Sequence, residues 1–169
     1  MNEKDIERAF CLFLRREGLS VVGTQVKLPF GIVDILALTA APEHLRPSPV
    51  IVEIKRNEIT EAAIGQLFGY INQLNYLLEN RLYDSQSLAP TAIGFIVGQS
   101  ITERALRSVF SETVHYCEFR NNGHALSFNE PYTPMMPKSD DVLDPRLEVV
   151  FDLIQEHIYS TEAFLGIPV

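Results

Sequence analysis

Apolar and polar positions alternate along this chain with two different periods, and the change of period marks out the elements. Over residues 3–17, Ile6, Ala9, Phe10, Phe13 and Leu14 recur at helical spacing, with Asn2 as a candidate cap and Gly18 as the stop. Residues 20–28 read as a strand, and Pro29-Phe30-Gly31 as a turn. Residues 32–39 form a second strand, apolar on both faces except at Asp34, and residues 50–55 a third. A long helix over about 60–82 follows, with Thr60 as its cap and a stripe of Ala63, Leu67, Tyr70, Leu74 and Leu77. Residues 83–90 read as a polar loop and 91–98 as a buried strand. Ser100 and Glu103 have capping-box spacing, which predicts a helix over about 101–110. Residues 113–120 and 124–128 read as a hairpin around Asn121-Asn122-Gly123.

The early strands, joined by short turns, predict an antiparallel meander, and the later alternation with helices predicts parallel pairing. The expectation is one α/β domain with a mixed sheet flanked by helices, over residues 1–130. Residues 131–169 read as a proline-rich linker and a C-terminal acidic helix beginning near Asp144-Pro145 and burying Leu147, Val150, Phe151, Ile154 and Ile158.

Composition narrows the class. At 169 residues and 46% apolar content the chain can build a packed core. No apolar run approaches the ~20 residues needed to span a bilayer. The start, MNEKDIERAF, is charged and unlike a signal peptide, so a soluble, cytoplasmic protein with no membrane partner is expected. Cys11 and Cys117 are too few for a disulfide framework or zinc cluster and read as free thiols. His44, His115, His124 and His157 show no metal spacing and read as structural or exposed.

The net charge of −8 is unevenly spread: residues 1–60 are neutral, with eight basic and eight acidic side chains, whereas 139–169 carry seven acids and one base. Bulk electrostatics therefore does not favour nucleic acid, but the first two thirds do not forbid it.

Three polar residues interrupt the strands. Asp34 lies in Ile32-Val33-Asp34-Ile35-Leu36, and a lone buried carboxylate costs several kcal/mol unless paired or bound to a metal. Glu53 and Lys55 lie in Val50-Ile51-Val52-Glu53-Ile54-Lys55 and project to one face of the strand, with Ile54 on the other. Each has an ordinary reading: Glu-x-Lys is often a solvated pair, and an aspartate can cap a turn. Together, two carboxylates on central strands make an oxygen site suited to Mg²⁺, with Lys55 placed to handle the attacking water or stabilise a phosphoryl oxygen. That is the minimum equipment for metal-assisted phosphodiester hydrolysis.

The segments Gly31-Ile32-Val33-Asp34-Ile35-Leu36, Val52-Glu53-Ile54-Lys55-Arg56 and Gln66-Leu67-Phe68-Gly69-Tyr70 resemble the PD-(D/E)XK nuclease superfamily. The resemblance is to the catalytic domain of NucS-type endonucleases, with a Gln-x-x-x-Tyr helix as in RecB-type members, over about residues 3–128. It implies a restriction-endonuclease-like fold and DNA cleavage dependent on Mg²⁺, or Mn²⁺ as a substitute. Asp34 and Glu53 would be metal ligands and Lys55 the water-handling or charge-stabilising residue. Glu7 matches a first-helix acid used near the metal, although it could equally pair with Lys4 or Arg8. Gln66 and Tyr70 would face the site, or Tyr70 would simply pack in the core. The family's proline before the aspartate is Val33 here. The separate DNA-binding domain that NucS-type enzymes place ahead of this one is not expected, nor, without four cysteines, is an iron–sulfur cluster.

With DNA as partner, Arg56, Lys27, Arg15 and Arg16, together with Arg120, are the candidate phosphate contacts. The acidic C-terminal helix is a candidate homodimer contact. Gly65 and Gly69, inside the long helix, would let it lie close to the sheet. Two other functions share these residues: a catalytically silent module of the same fold that binds nucleic acid or protein, and a nuclease acting on RNA or single-stranded flaps.

Overall fold

The computed structural model describes residues 1–28, 31–40, 46–81, 92–109 and 113–129, with the side chains of Asn80 and Arg81 left out. The predicted linker and C-terminal helix, the 83–90 loop, His44, His157 and the Pro29-Phe30 turn lie outside the described residues. The elements run α1 (Glu3–Arg16), β1 (Ser20–Leu28), β2 (Gly31–Leu38), β3 (Pro49–Ile54), β4 (Glu58–Ile59), α2 (Glu61–Arg81), β5 (Ile93–Gly98), β6 (Ser100–Ile101), α3 (Glu103–Ser108), β7 (Val114–Asn121) and β8 (Leu126–Asn129).

Six strands form one mixed sheet in the order β1-β2-β3-β5-β7-β8. β1, β2 and β3 pair antiparallel, β3, β5 and β7 parallel, and β7 and β8 antiparallel, as the connection lengths predict. β4 and β6 form a separate two-residue parallel ladder that the sequence pattern does not signal. Among the described residues no helix is long and apolar enough to cross a membrane.

Each face of the sheet is covered by a helix. α1 buries Ile6, Phe10, Cys11 and Leu14 against Ile35, Ala37, Val50, Val52, Ile54, Phe95 and Phe119. Its first turn is closed by a reciprocal cap, with Asn2 Oδ1 accepting from the Asp5 amide and Asp5 Oδ2 from the Asn2 amide. Gly18, at φ +88°, takes the left-handed turn into β1. On the other face α2 packs Ala63, Ile64, Leu67, Tyr70, Ile71, Leu74 and Leu78 against Leu36, Leu38, Ile51 and Ile96. The last core residue of the helix is thus Leu78, with Leu77 only half-buried.

Two expectations are corrected here. Gly65 and Gly69 have nothing within 4 Å of where a side chain would start, so they do not admit the helix to the sheet. The glycine that does is on the strand: a Cβ on Gly94 would sit 2.6 Å from Ile71 and 3.0 Å from Leu67. The cap of α3 is Thr102, whose Oγ1 accepts from the Ala105 amide at 3.1 Å. Ser100 is instead used up as a strand residue in β6.

Candidate active site

The site forms where β2 leaves β3. Their pairing ends at Ile35–Val52, while β2 continues toward Gly31 beside β1 alone. The Ile54 amide, beyond that last pair, finds a side chain in place of a strand: Asp34 Oδ2 accepts from it at 2.7 Å. The same step carries a reversal of faces. Val33 and Ile35 would share a face in a regular strand, yet they pack into opposite core layers. Opposite Asp34 on β1, Gln25 adopts φ +53°, a left-handed conformation that is costly for a residue other than glycine. Strain of this kind persists only where surrounding contacts enforce it. Here the Gln25 side-chain nitrogen, Nε2, donates to Asp34 Oδ1 at 3.1 Å and to Glu7 Oε2, on α1, at 2.6 Å.

Glu53 projects from the end of β3 and is 4% exposed. Lys55, two residues on and 30% exposed at its side chain, donates from Nζ to Glu53 Oε1 at 2.7 Å. The Lys55 amide bonds to the Val97 carbonyl at 2.8 Å, which carries the strand line on to the lysine. Glu53 Oε2 is buried with no hydrogen-bond partner. Burial raises the Glu53 pKa; the hydrogen bond from Lys55 lowers it, and the charges of Asp34 and Glu3 raise it further. An unpartnered, buried carboxylate oxygen in the field of a second carboxylate is a place where a cation is welcome.

The shared architecture is that of a solved repair endonuclease. The chain is similar to the crystal structure of a repair endonuclease from Pyrococcus abyssi, at 21% identity and a TM-score of 0.50, over 70% of this chain and 47% of that one. It is also similar to EndoMS in a dsDNA complex, at 21% identity and a TM-score of 0.49 over 69% and 44% of the two chains. A third similarity is to EndoMS in apo form, at 18% identity and a TM-score of 0.49 over 72% and 47%. The chain thus spans less than half the length of each of these structures. At this level the likeness is one of fold, and the restriction-endonuclease-like α/β architecture expected from the motifs is the one found. No family model matches the chain, and no curated protein does.

The structure brings Asp34, Glu53 and Lys55 together and attaches Glu7 to them through Gln25. Among the described residues no three His, Cys, Asp or Glu side chains are grouped so as to hold a metal ion by themselves. The acid on α1 that acts on Glu53 is Glu3, one turn before Glu7. Gln66 and Tyr70 bond to each other, Nε2 donating to the hydroxyl at 2.8 Å. Tyr70 is a core residue laid over the first residue of β2, where a Cβ on Gly31 would sit 2.5 Å from its ring. Arg15, Arg16, Lys27 and Arg56 are exposed, whereas Arg120 pairs with Glu118 at 3.2 Å. His115 is buried and His124 exposed, and both cysteines are buried thiols outside any disulfide.

Gln25 and Glu3 are the residues that sequence reasoning missed. A glutamine in an edge strand has the pattern of any solvent-facing polar residue, and a positive φ leaves no periodic trace. Glu3 carries no signal beyond being an acid in a first helical turn, where acids are common.

Proposed function

We propose that this chain is a metal-dependent endonuclease that hydrolyses the phosphodiester bonds of DNA. The observation that carries the reading is the unpartnered, buried Glu53 Oε2, in a carboxylate whose other oxygen accepts from Lys55 Nζ and which feels the Asp34 charge. Asp34 and Glu53 would hold Mg²⁺ or Mn²⁺: all their donors are hard oxygens, and a two-carboxylate site completed by backbone oxygen and water suits such an ion. When bound, that ion would supply Lewis-acid polarisation of the phosphate and a nucleophile at neutral pH.

The protein's own groups prepare the remainder. Two hydrogen bonds, from Ile54 and Gln25, fix the Asp34 carboxylate in one orientation, so little of its order has to be acquired on binding. Lys55 orients the attacking water and sets a positive charge where the phosphoryl oxygens gain negative charge. Burial holds the Glu53 proton to higher pH than an ordinary carboxyl, so cleavage increases with pH until that group is ionised. Glu7 acts on Asp34 through Gln25, and Tyr70 supports the start of β2.

The test is cleavage of supercoiled plasmid with Mg²⁺ or Mn²⁺ against an EDTA control, with Mn²⁺ titration calorimetry beside it. Cleavage that disappears in Lys55→Ala, and Mn²⁺ binding that disappears in Glu53→Ala, are expected. Cleavage by neither metal, or equal cleavage by Lys55→Ala, would leave the chain a silent module of nuclease fold.

A further inference from the structure

Between α1 and β1 lies a cleft of 590 Å³. Lys4, Arg8 and Arg15 line it from the helix, and Thr24 and Gln25 from the strand. The three cations recur at spacings that keep them along one side of α1, over about 16 Å of helix. All three are exposed, and none joins an ion pair among the described residues. The one carboxylate in the lining, Glu7, already accepts the hydrogen bond from Gln25. Three cations to one acid is the reverse of a chain whose net charge is −8.

The cleft shares Glu7 and Gln25 with the candidate site. Its strand wall ends on Gln25, whose amide holds Asp34. Cys11 lines it as a buried thiol, its pKa raised by burial, and Arg15 lines it one turn further along α1. Leu12, 54% exposed, supplies an apolar surface in the lining on which a sugar or base can lie.

We infer that this cleft binds backbone phosphates of the nucleic-acid strand to one side of the scissile bond, with Arg8 and Arg15 as phosphate ligands and Lys4 as a third cation. The assignment rests on the nuclease reading and deepens it by giving the strand a path over α1. Arginine suits the task because its planar fork meets phosphate oxygens two at a time.

The experiment is fluorescence anisotropy of labelled single-stranded and duplex oligonucleotides in EDTA, from 50 to 200 mM salt. It compares wild type, the Arg8→Ala/Arg15→Ala double variant and Arg104→Ala, an exposed charge on α3. Losing two phosphate contacts, the double variant should bind more weakly at 50 mM. Its affinity should fall about tenfold less than that of wild type over the salt range. Arg104→Ala should match wild type, and unchanged circular dichroism should show all three folded. A double variant equal to Arg104→Ala in affinity and salt slope overturns the cleft, as does wild type that binds neither probe. Plasmid cleavage by wild type is scored separately. Cleavage together with an unaltered salt slope removes the cleft and leaves the nuclease. No cleavage together with a reduced slope removes the nuclease and leaves the phosphate site.

Discussion

Two charged-type side chains are buried among the described residues, Glu53 and His115, and they lie on strands of the same sheet. Burial moves both toward their neutral forms, raising the pKa of Glu53 and lowering that of His115. The likeness ends there. His115 lies tilted against Phe95, ring centres 5.2 Å apart, and burial is the whole cause of its shift. Glu53 has an ammonium on one oxygen, no partner on the other, and the field of two further acids. A displaced pKa therefore does not mark a site on this sheet. What marks it is a buried charge whose neighbours fail to satisfy it, at the point where two strands part.

The comparison is broken most sharply by activity. Lys55→Ala and Glu53→Ala should each lower plasmid cleavage by about 10²–10³-fold, the scale of losing one pre-organised electrostatic group, while His115→Phe should leave it unchanged. Equal losses from all three in initial-rate assays would erase the distinction.

Stability should respond with opposite signs. The raised pKa of Glu53 means that the folded state holds this proton more tightly than the unfolded state. Stability from this group is present below the ordinary value of 4.5 and lost as pH rises through the raised folded value. Glu53→Gln, which keeps an acceptor for Lys55 and cannot ionise, should melt higher than wild type at neutral pH. Thermal melts at several pH values should show the gap closing toward pH 4.5.

The smallest effect belongs to His115. Its pKa is depressed, so its contribution is present above 6.5 and lost as pH falls through the folded value. His115→Phe should match wild type at pH 8 and melt higher than wild type below pH 6.5. A gap that instead grows with rising pH would contradict the assignment of burial as the cause.

Much of this was legible in the sequence, for identifiable reasons. The sheet strands and α2 announce themselves as apolar runs of the right length, and Asp34, Glu53 and Lys55 as polar residues that interrupt them. The period of two places Glu53 beside Lys55, and the 2.7 Å contact agrees. Shorter-range features were less legible. A two-residue ladder such as β4–β6 has no period at all, and it moved the α3 cap from Ser100 to Thr102. Gly65 and Gly69 look like packing glycines on the helix, but close approach depends on both surfaces, and the small residue is Gly94 on the strand. Gln25 and the cleft beyond it exist only once α1 is docked beside β1.

The bond from the Ile54 amide gives Asp34 a second occupation. Deleting its carboxylate would strand a sheet amide without an acceptor, at a cost of about 1–3 kcal/mol, whether or not any reaction takes place. Lys55, partly open to solvent, answers only to Glu53: its ammonium pairs with that buried carboxylate, so the fold can lose the two together. On the nuclease reading, a descendant without activity would therefore shed Glu53 and Lys55 as a pair and keep the aspartate, or trade it for asparagine. In such lineages the Glu53–Lys55 pair, and not the aspartate, would be the trait that tracks the proposed reaction.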